Sequence, residues 1–284
     1  MSRMTPQSLY DSYRQGYSGC LWEEHIFEEL IETSRYAFFK EGAKRIKDSG
    51  KGKLSTPFKS VLKFDKRSFT ERQTTGDCVS HATRNACDLT RAIEIDIKGD
   101  KESWIARGAT EAIYGCRGHG GQGMSCSRAA TFVSQTGGVL VRKNYPGVAD
   151  FSKYNSKLGT TWGSRGLPDK VIDKADDHQV KTASLIKTVE EARDALANGY
   201  GLSVCSGYGF SNKRNKQGFA RKSGSWSHAM AWTACDDTNG EPAFLVQNSW
   251  GKWNDGGHPE WGPIPDGSFL IHADVAEGML RQNG

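Results

Sequence analysis

The chain lacks any apolar run approaching the roughly 18 residues that a membrane-spanning helix needs, and its mean hydropathy is −0.62. It has no CxxC pair, no internal repeat and no low-complexity tract. Its charge is nearly balanced, because 38 Lys and Arg face 33 Asp and Glu for a net +5. No segment resembles a nucleic-acid-binding module. We therefore expect neither a membrane nor a specific nucleic acid among its partners.

The first residues also lack the apolar core of a secretory signal sequence, which predicts synthesis in the cytoplasm. Incorporation into a larger assembly, such as a virion, stays open. The seven cysteines are an odd number and are spread widely over the chain. In a reducing compartment, we expect most of them to be small buried hydrophobes rather than disulfide partners.

Aromatic side chains are plentiful, with 8 Trp, 9 Tyr and 12 Phe. Each of them can bury on the order of 150 to 250 Å², so the chain can build a core and is not disordered. The 33 glycines predict many tight turns. At roughly 100 to 200 residues per domain, 284 residues predict one large domain or two lobes.

Helical periodicity is concentrated in the first half of the chain. Apolar residues recur at helical spacing over about 18–46, 78–93 and 126–135. A capping box at Thr188–Glu191 opens a shorter helix. Residues 142–182 are polar and aperiodic, and we predict loops there.

Strand signals follow the helices. Short apolar segments bounded by Gly, Asp, Asn or Pro occur at 202–205, 229–234, 243–246 and 268–271. Helices first and strands later favour an α+β protein with a helical lobe and a β lobe.

One cysteine lies where a helix should begin. The segment Gly76-Asp77-Cys78 directly precedes the second predicted helix. A helix N-terminus and a nearby imidazolium lower the pKa of a thiol, which must ionise to become a nucleophile. Gln73 is five residues upstream, where its amide can return and form an oxyanion hole with the backbone N–H of Cys78.

A base and its orienting group come from two later strands. His228 begins an apolar strand about 150 residues after Cys78, and Asn248 ends the next strand. Adjacent strands bring these side chains within hydrogen-bonding distance and leave the second imidazole nitrogen to face the thiol.

Together these motifs resemble the papain family of cysteine peptidases. The order and spacing of Cys, His and Asn match that family. The resemblance covers about residues 70–272 and rests on these segments: Gln73 with Gly76-Asp77-Cys78, Gly120-Gly121, His228-Ala229-Met230, Asn248-Ser249-Trp250-Gly251 and Gly267-Ser268-Phe269-Leu270.

The resemblance implies a role for each motif residue in an endopeptidase that needs no cofactor and no metal. It implies that a Cys-His-Asn triad hydrolyses a peptide or protein substrate through an acyl-enzyme. The implied roles are Cys78 as nucleophile, His228 as general base and acid, Asn248 as its orienting group, Gln73 as oxyanion donor, Trp250 as a shield over the triad, and Gly120 and Gly121 as backbone partners of an extended substrate.

The resemblance also implies a two-lobe fold, with an antiparallel β-barrel-like lobe across the cleft from the helical lobe. We expect an N-terminal helical extension of unknown role at 1–55 and a papain-like domain at 56–284. Within that domain, the helical lobe covers about 70–145 and the β lobe about 180–272. The extension does not match the family's inhibitory prosegment, and docking of a protein partner is one role for it.

The sequence departs from the family pattern around the nucleophile. Asp77 stands where the family has a small polar residue, Val79 replaces its usual Trp, and Thr75 replaces a cysteine that forms a disulfide in the family. A carboxylate beside a thiol disfavours the thiolate, although Asp77 is also a good helix cap.

Other interpretations stay open at this stage. His81 competes with His228 as the base, although its place on the same helix directs it away from the N-terminal end. Cys116, His119 and Cys126 fit no strong zinc pattern. Transfer of the acyl group to an amine is a variant of hydrolysis, and an inactive papain-like scaffold that binds peptides or serves assembly is the alternative.

Overall fold

The computed structural model describes residues 19–21, 44–181 and 183–282, and the architecture is α+β with two lobes, as the sequence predicts. The helices are α1 (Phe58–Phe64), α2 (Cys78–Asp96), α3 (Glu111–Gly115), α4 (Cys126–Thr131), α5 (Ser156–Arg165), α6 (Asp169–Asp176), α7 (Val189–Ala197) and α8 (Ala273–Leu280). The strands are β1 (Leu54–Ser55), β2 (Asn144–Tyr145), β3 (Ala149–Asp150), β4 (Leu202–Arg214), β5 (Ala220–Asp236), β6 (Ala243–Gln247), β7 (Asp255–Gly256) and β8 (Ser268–Ile271).

The helical lobe is built around α2, whose apolar residues at helical spacing are buried along most of its length. Its core combines the first turn of α2 with side chains from α3, α4 and the chain that follows them. Helix α4 continues into a short π-helical turn, so the helix predicted at 126–135 is confirmed.

The expectation of loops over 142–182 is wrong for two segments. Helices α5 and α6 lie there, and both pack side chains into the core around α2. Asn155 caps α5 by accepting a hydrogen bond from the Leu158 N–H, and Trp162 buries its ring in the lobe's core. The high polarity of the segment hid these short helices, because each buries only a few side chains.

The second lobe contains a sheet in the order β7-β4-β5-β6-β8, with β1 also paired to β5. All of its pairs are antiparallel except β4 with β7. The turn before β5 reaches back to β8, where the Leu270 N–H donates to the Gly218 carbonyl at 2.9 Å. This contact curls the sheet and gives the barrel-like shape that the resemblance implies.

Helix α2 packs against β4 and β5 and so joins the two lobes. This packing places the first residue of α2 beside the middle of β5. Strands β5 and β6 are neighbours in register, with Ala231 opposite Gln247. The start of α2, the middle of β5 and the end of β6 therefore meet at one place between the lobes.

The N-terminal part differs from expectation. The helix predicted at about 18–46 lies mostly outside the described residues, but residues 19–21 are extended and residues 44–50 form turns. Cys126 and Cys205 form a disulfide between α4 and β4, and the other five cysteines are free thiols, in keeping with the expectation that most are unpaired. None of the helices among the described residues has the length and apolar character of a membrane span.

Candidate active site

Cys78 is the first residue of α2 and is fully buried. Its sulfur accepts hydrogen bonds from backbone N–H groups, including that of Ala229, the residue after His228. Burial nevertheless raises the pKa of the Cys78 thiol to about 12, and the nearby Asp77 carboxylate raises it further. The thiol is therefore protonated at neutral pH in this conformation.

His228 and Asn248 meet as the sequence predicts. Nε2 of His228 lies 2.8 Å from Oδ1 of Asn248, and both residues are buried. The same Oδ1 accepts the N–H of Ser249 at 2.7 Å, which identifies it as the oxygen of the amide. Nε2 must therefore carry the hydrogen, and Nδ1 carries a lone pair.

The free nitrogen of His228 is the one that a general base requires. Among the residues that the structure describes, Nδ1 has no hydrogen-bond partner. Burial lowers the pKa of the His228 imidazole to about 4, against the opposing effect of the Asn248 hydrogen bond. Both His228 and Cys78 are thus neutral here, and the pair is a resting thiol and imidazole rather than an ion pair.

Trp250 packs over the imidazole. The two ring centroids are 4.4 Å apart with an interplanar angle of 32°. Trp226 contacts both rings, at 5.9 Å from His228 and 4.8 Å from Trp250. This aromatic wall keeps water away from the bond between His228 and Asn248, the position that a shielding role for Trp250 requires.

Gln73 lies in the segment before α2, and its side chain is held on both sides. Its Nε2 donates to the Thr75 carbonyl at 2.9 Å, and its Oε1 accepts from the Ser249 hydroxyl. The backbone N–H of Gln73 also donates to the Ser249 carbonyl at 2.8 Å. The second hydrogen on Nε2 of Gln73 takes part in none of these bonds. If Gln73 stabilises an oxyanion, this hydrogen is the one that it donates.

Asp77 occupies the N-cap position of α2, but its side chain accepts no capping hydrogen bond, in contrast to one expectation from the sequence. Its Oδ2 accepts the hydroxyl hydrogen of Tyr154 at 2.8 Å and lies 3.5 Å from Nε2 of His81. Burial raises the pKa of the Tyr154 hydroxyl, and Asp77 raises it further, so Tyr154 remains a donor. Tyr154 and His81 thus hold Oδ2 of Asp77, and the carboxylate is still close enough to raise the pKa of the Cys78 thiol.

His81, the competing base, belongs to this network. Its Nδ1 lies 3.3 Å from Nη2 of Arg84 and 3.7 Å from Oε2 of Glu71. Burial opposes ionisation of Glu71, but Arg84 and its other positive neighbours outweigh it and lower the pKa to about 2. Nε2 of His81 also has no hydrogen-bond partner among the described residues, but it lies 3.5 Å from the Asp77 carboxylate. His81 therefore differs from His228 in that both of its ring nitrogens face charged side chains.

Residues 19–21 cross the cleft directly over Cys78; we call them the cleft segment. Gly19 N–H and Cys20 N–H donate to the Ser227 carbonyl at 2.8 and 3.0 Å, and the Ser227 hydroxyl donates to the Cys20 carbonyl. On the opposite side, the Leu21 N–H donates to the Met124 carbonyl at 2.8 Å, and the Met124 N–H donates to the Gly19 carbonyl at 2.9 Å. The cleft segment is thus bonded to both lobes.

The approach of the cleft segment to the thiol is very close. A Cβ atom added at Gly19 would lie 2.8 Å from the Cys78 sulfur and 2.7 Å from the Gly76 carbonyl oxygen. Only glycine fits there. The cleft segment is therefore part of the reason that Cys78 is shielded from solvent.

Gly120 and Gly121 are exposed in the turn between α3 and α4. Their predicted role as backbone partners of substrate stays a prediction. The extended pairing that the structure contains on this wall involves Met124, three residues further along, which bridges Cys20.

No sequence pattern indicated several residues of this site. Tyr154 lies in the region interpreted as loops, and Ser227 and Met124 belong to no recognised motif. Ser249 is part of the Asn248-Ser249-Trp250 motif, but its bond to Gln73 depends on tertiary contact. For metal ligation, the group of three candidate ligands among the described residues is Cys20, Cys126 and Cys205, two of which are disulfide-bonded.

Comparison with known proteins finds similarity in three dimensions only. No family model and no curated protein sequence matches the chain. Among solved structures, xylellain, a cysteine protease from Xylella fastidiosa, is 15% identical over 73% of this chain and 77% of its own, with a TM-score of 0.49. Procathepsin L 3 from the Tenebrio molitor larval midgut is 12% identical over 96% of this chain and 84% of its own, with a TM-score of 0.45.

A third similar structure is procathepsin B S9 from Trypanosoma congolense, which is 13% identical over 78% of this chain and 71% of its own, with a TM-score of 0.46. Identities and scores this low carry no inference about activity. What this chain does has to be argued from its own residues.

Proposed function

We propose that this chain is a cysteine endopeptidase that hydrolyses peptide bonds through Cys78, His228 and Asn248. One observation carries the proposal. Nε2 of His228 is hydrogen-bonded to Asn248, and its Nδ1 has no partner among the described residues. The Cys78 sulfur accepts the backbone N–H of Ala229, the residue directly after His228. A nucleophile, a base with its acceptor nitrogen free and an orienting amide are the minimum set for acyl transfer.

The proposed reaction begins with transfer of the Cys78 proton to Nδ1 of His228. The thiolate attacks the substrate carbonyl, and the backbone N–H of Cys78 and the free amide hydrogen of Gln73 stabilise the oxyanion. His228 then protonates the leaving amine, and a thioester to Cys78 remains. Water, deprotonated by His228, hydrolyses this thioester and restores the thiol.

An extended peptide suits the walls of this cleft. The carbonyl and N–H of Met124 and the carbonyl of Ser227 already hydrogen-bond a stretch of extended backbone, the cleft segment. Backbone hydrogen bonds of this type accept many sequences, and side-chain pockets supply the selectivity. The substrate class that we propose is therefore an extended peptide or an unstructured protein segment.

Because the cleft segment occupies the place of a substrate, this conformation of the chain is inactive. The cleft segment has to leave before a substrate carbonyl can reach Cys78. Its departure admits water and so removes part of the burial that raises the thiol pKa. Inhibition in the resting state is the role that we propose for this part of the N-terminal extension.

A thiol-directed epoxide or vinyl sulfone tests the proposal on the full-length chain. We expect covalent labelling at Cys78, located by peptide mass, and loss of most labelling in His228→Ala. His272→Ala is the matched control, because His272 is exposed and stacks on Phe219. Inertness of Cys78 in the wild type and in Gly19→Ala, which displaces the cleft segment, would favour a peptide-binding scaffold instead.

A second measurement separates hydrolysis from acyl transfer. The two reactions share the thioester and differ only in the group that attacks it. Products formed from a model peptide in the presence of an added amine are separated by mass. Predominant free acid supports the peptidase, and predominant amide supports a transferase.

A further inference from the structure

Three sulfur atoms from three separate parts of the chain converge beside the cleft. Cys20 belongs to the cleft segment, Cys126 begins α4 in the helical lobe, and Cys205 lies in β4 of the sheet lobe. The three Sγ atoms all lie within 4.8 Å of one another. Cys126 and Cys205 form a disulfide with a Cα–Cα distance of 6.5 Å, and Cys20 is a thiol.

The backbone holds the Cys20 thiol in this position. Its N–H and carbonyl both bond to Ser227, and the neighbouring Leu21 bonds to Met124. Met124 is only two residues before Cys126. The Cys20 side chain is also 1% exposed, so its sulfur faces the disulfide rather than solvent.

We propose that Cys20, Cys126 and Cys205 form a thiol–disulfide exchange site that can attach the cleft segment covalently to the cleft wall. The Cys20 thiolate attacks one sulfur of the Cys126–Cys205 bond. A new bond joins Cys20 to that cysteine, the old bond breaks, and the other cysteine leaves as a thiolate that takes up the proton lost by Cys20. No electrons enter or leave the chain, so no external oxidant is required.

Either product ties the cleft segment to a lobe. A bond to Cys126 fixes it to the helical lobe, and a bond to Cys205 fixes it to the sheet lobe. Both keep Gly19 against Cys78, where the segment already lies. A small external thiol, such as reduced glutathione, would break the new bond and free the segment. The importance of this tether for activity rests on the proposed function, whereas the exchange itself does not.

Burial slows the exchange in the resting conformation. It raises the pKa of the Cys20 thiol, and the neighbouring Cys78 raises it further. Only the thiolate attacks a disulfide, and uncatalysed rearrangement takes minutes to hours. The expected product therefore accumulates slowly and has to be trapped.

Mass spectrometry on the full-length Cys78→Ala chain tests the exchange. This background removes peptidase activity and the competing active-site thiol. The chain is incubated at pH 8 for hours without reductant, acidified, alkylated with N-ethylmaleimide and digested without reduction. We expect peptides linked through Cys20 to Cys126 or Cys205, each with alkylation of the cysteine that was released. Cys87→Ser in the same background is the matched control, because Cys87 is a half-buried thiol on α2, and it should leave the pattern unchanged.

A second variant tests whether the sulfurs meet. In Cys78→Ala with Cys126→Ser, Cys205 is left without its partner, and oxidised glutathione should produce a Cys20–Cys205 disulfide. Complete alkylation of Cys20 in both chains, with Cys126–Cys205 as the sole disulfide of the first, would overturn the proposal.

The outcome is independent of catalysis. Linked Cys20 peptides together with an inert Cys78 in the wild type would retain the exchange site and reject the peptidase. Hydrolysis by the wild type without any linked Cys20 peptide would do the reverse. In the wild type, we also expect the tethered fraction to resist iodoacetamide at Cys78 until dithiothreitol is added.

Discussion

On the sheet side of the cleft, His228 and Asn248 already share a hydrogen bond of 2.8 Å, with Trp250 packed over the imidazole. On the helix side, Cys78 is buried beneath the cleft segment and Gln73 is bonded to Thr75 and Ser249. On the sheet side, His228 and Asn248 are therefore already bonded to each other. On the helix side, the cleft segment covers the Cys78 sulfur.

The cause of the difference lies in how each side is held. His228 sits inside β5, in register opposite Ser206, and Asn248 directly follows β6. The pairing of β5 with β4 fixes His228, and the hydrogen bond from the Asn248 N–H to the Gly267 carbonyl fixes Asn248. The accessibility of Cys78 depends on a few hydrogen bonds from the cleft segment, which a local opening can break without unfolding either lobe.

The comparison predicts that the two sides respond differently to perturbation. Changes on the sheet side should alter catalysis while leaving access to the thiol nearly constant. Changes in the cleft segment should alter access first. The following predictions are arranged from the largest expected effect to the smallest.

Cys78→Ala should abolish hydrolysis, because no other group of the site can form the thioester. We expect a loss of at least about 10³-fold against a peptide or casein substrate. Thermal unfolding should remain cooperative, since the change removes only one buried heavy atom, the sulfur of residue 78. Cys87→Ala, on the same helix, is the control and should retain activity. Turnover that survives in Cys78→Ala would exclude this nucleophile.

Asn248→Ala should weaken catalysis without uncovering the thiol. Removal of the amide releases Nε2 and allows the imidazole to rotate or change tautomer, and general base catalysis is worth on the order of 10²- to 10⁴-fold. We expect kcat to fall within this range while the rate of Cys78 alkylation by iodoacetamide in the resting chain changes little. A KM effect alone would mean that Asn248 contacts substrate and does not orient the base.

The sequence predicted four of the six strands of the sheet, two of them nearly to their bounds. Strand β8 has the predicted bounds of 268–271, and β6 differs by one residue. Two adjacent strands, one containing His228 and the other followed directly by Asn248, leave little choice of geometry. The β4 and β5 strands are longer than predicted, because their polar ends carry no apolar signal.

The helix side was less predictable because its details depend on contacts distant in sequence. The start of α2 at Cys78 was clear from its apolar stripe and the preceding glycine. The partner of Asp77 was not, since Tyr154 is 77 residues away in a segment without periodicity. The cleft segment was also missed, because helical spacing in 18–46 concealed three extended residues.

Gly19→Ala should uncover Cys78. The added methyl would meet the Cys78 sulfur and the Gly76 carbonyl oxygen below 3 Å, so the cleft segment has to move away. We expect iodoacetamide to label Cys78 about tenfold faster, equivalent to roughly 1.4 kcal/mol against the closed state. Gly120→Ala is the control, since its methyl would lie 3.5 Å from its nearest neighbour. Equal labelling in both variants would mean that the cleft segment does not limit access.

Acid should destabilise the chain through the sheet side before it affects the carboxylates. Burial lowers the pKa of His228 from 6.5 to about 4. Between these values, the imidazole is protonated in the unfolded chain and neutral in the folded chain. The contribution of neutral His228 to the free energy of unfolding is therefore fully present above pH 6.5 and is lost as the pH falls toward 4. Glu71, with a pKa lowered from 4.5 to about 2, loses its contribution only below about pH 4.5.

His228→Gln isolates this effect. We expect Tm to fall between pH 7 and pH 5 by a few degrees more in the wild type than in the variant, since about 1 kcal/mol corresponds to roughly 2 to 4 °C in domains of 150 to 250 residues. His178, whose pKa burial also lowers, titrates in both chains and cancels in the difference. Parallel curves would mean that His228 accepts a proton while folded. Water would then reach the His228 imidazole in the folded chain, and the sheet side of the site would be open to solvent while Cys78 stays covered.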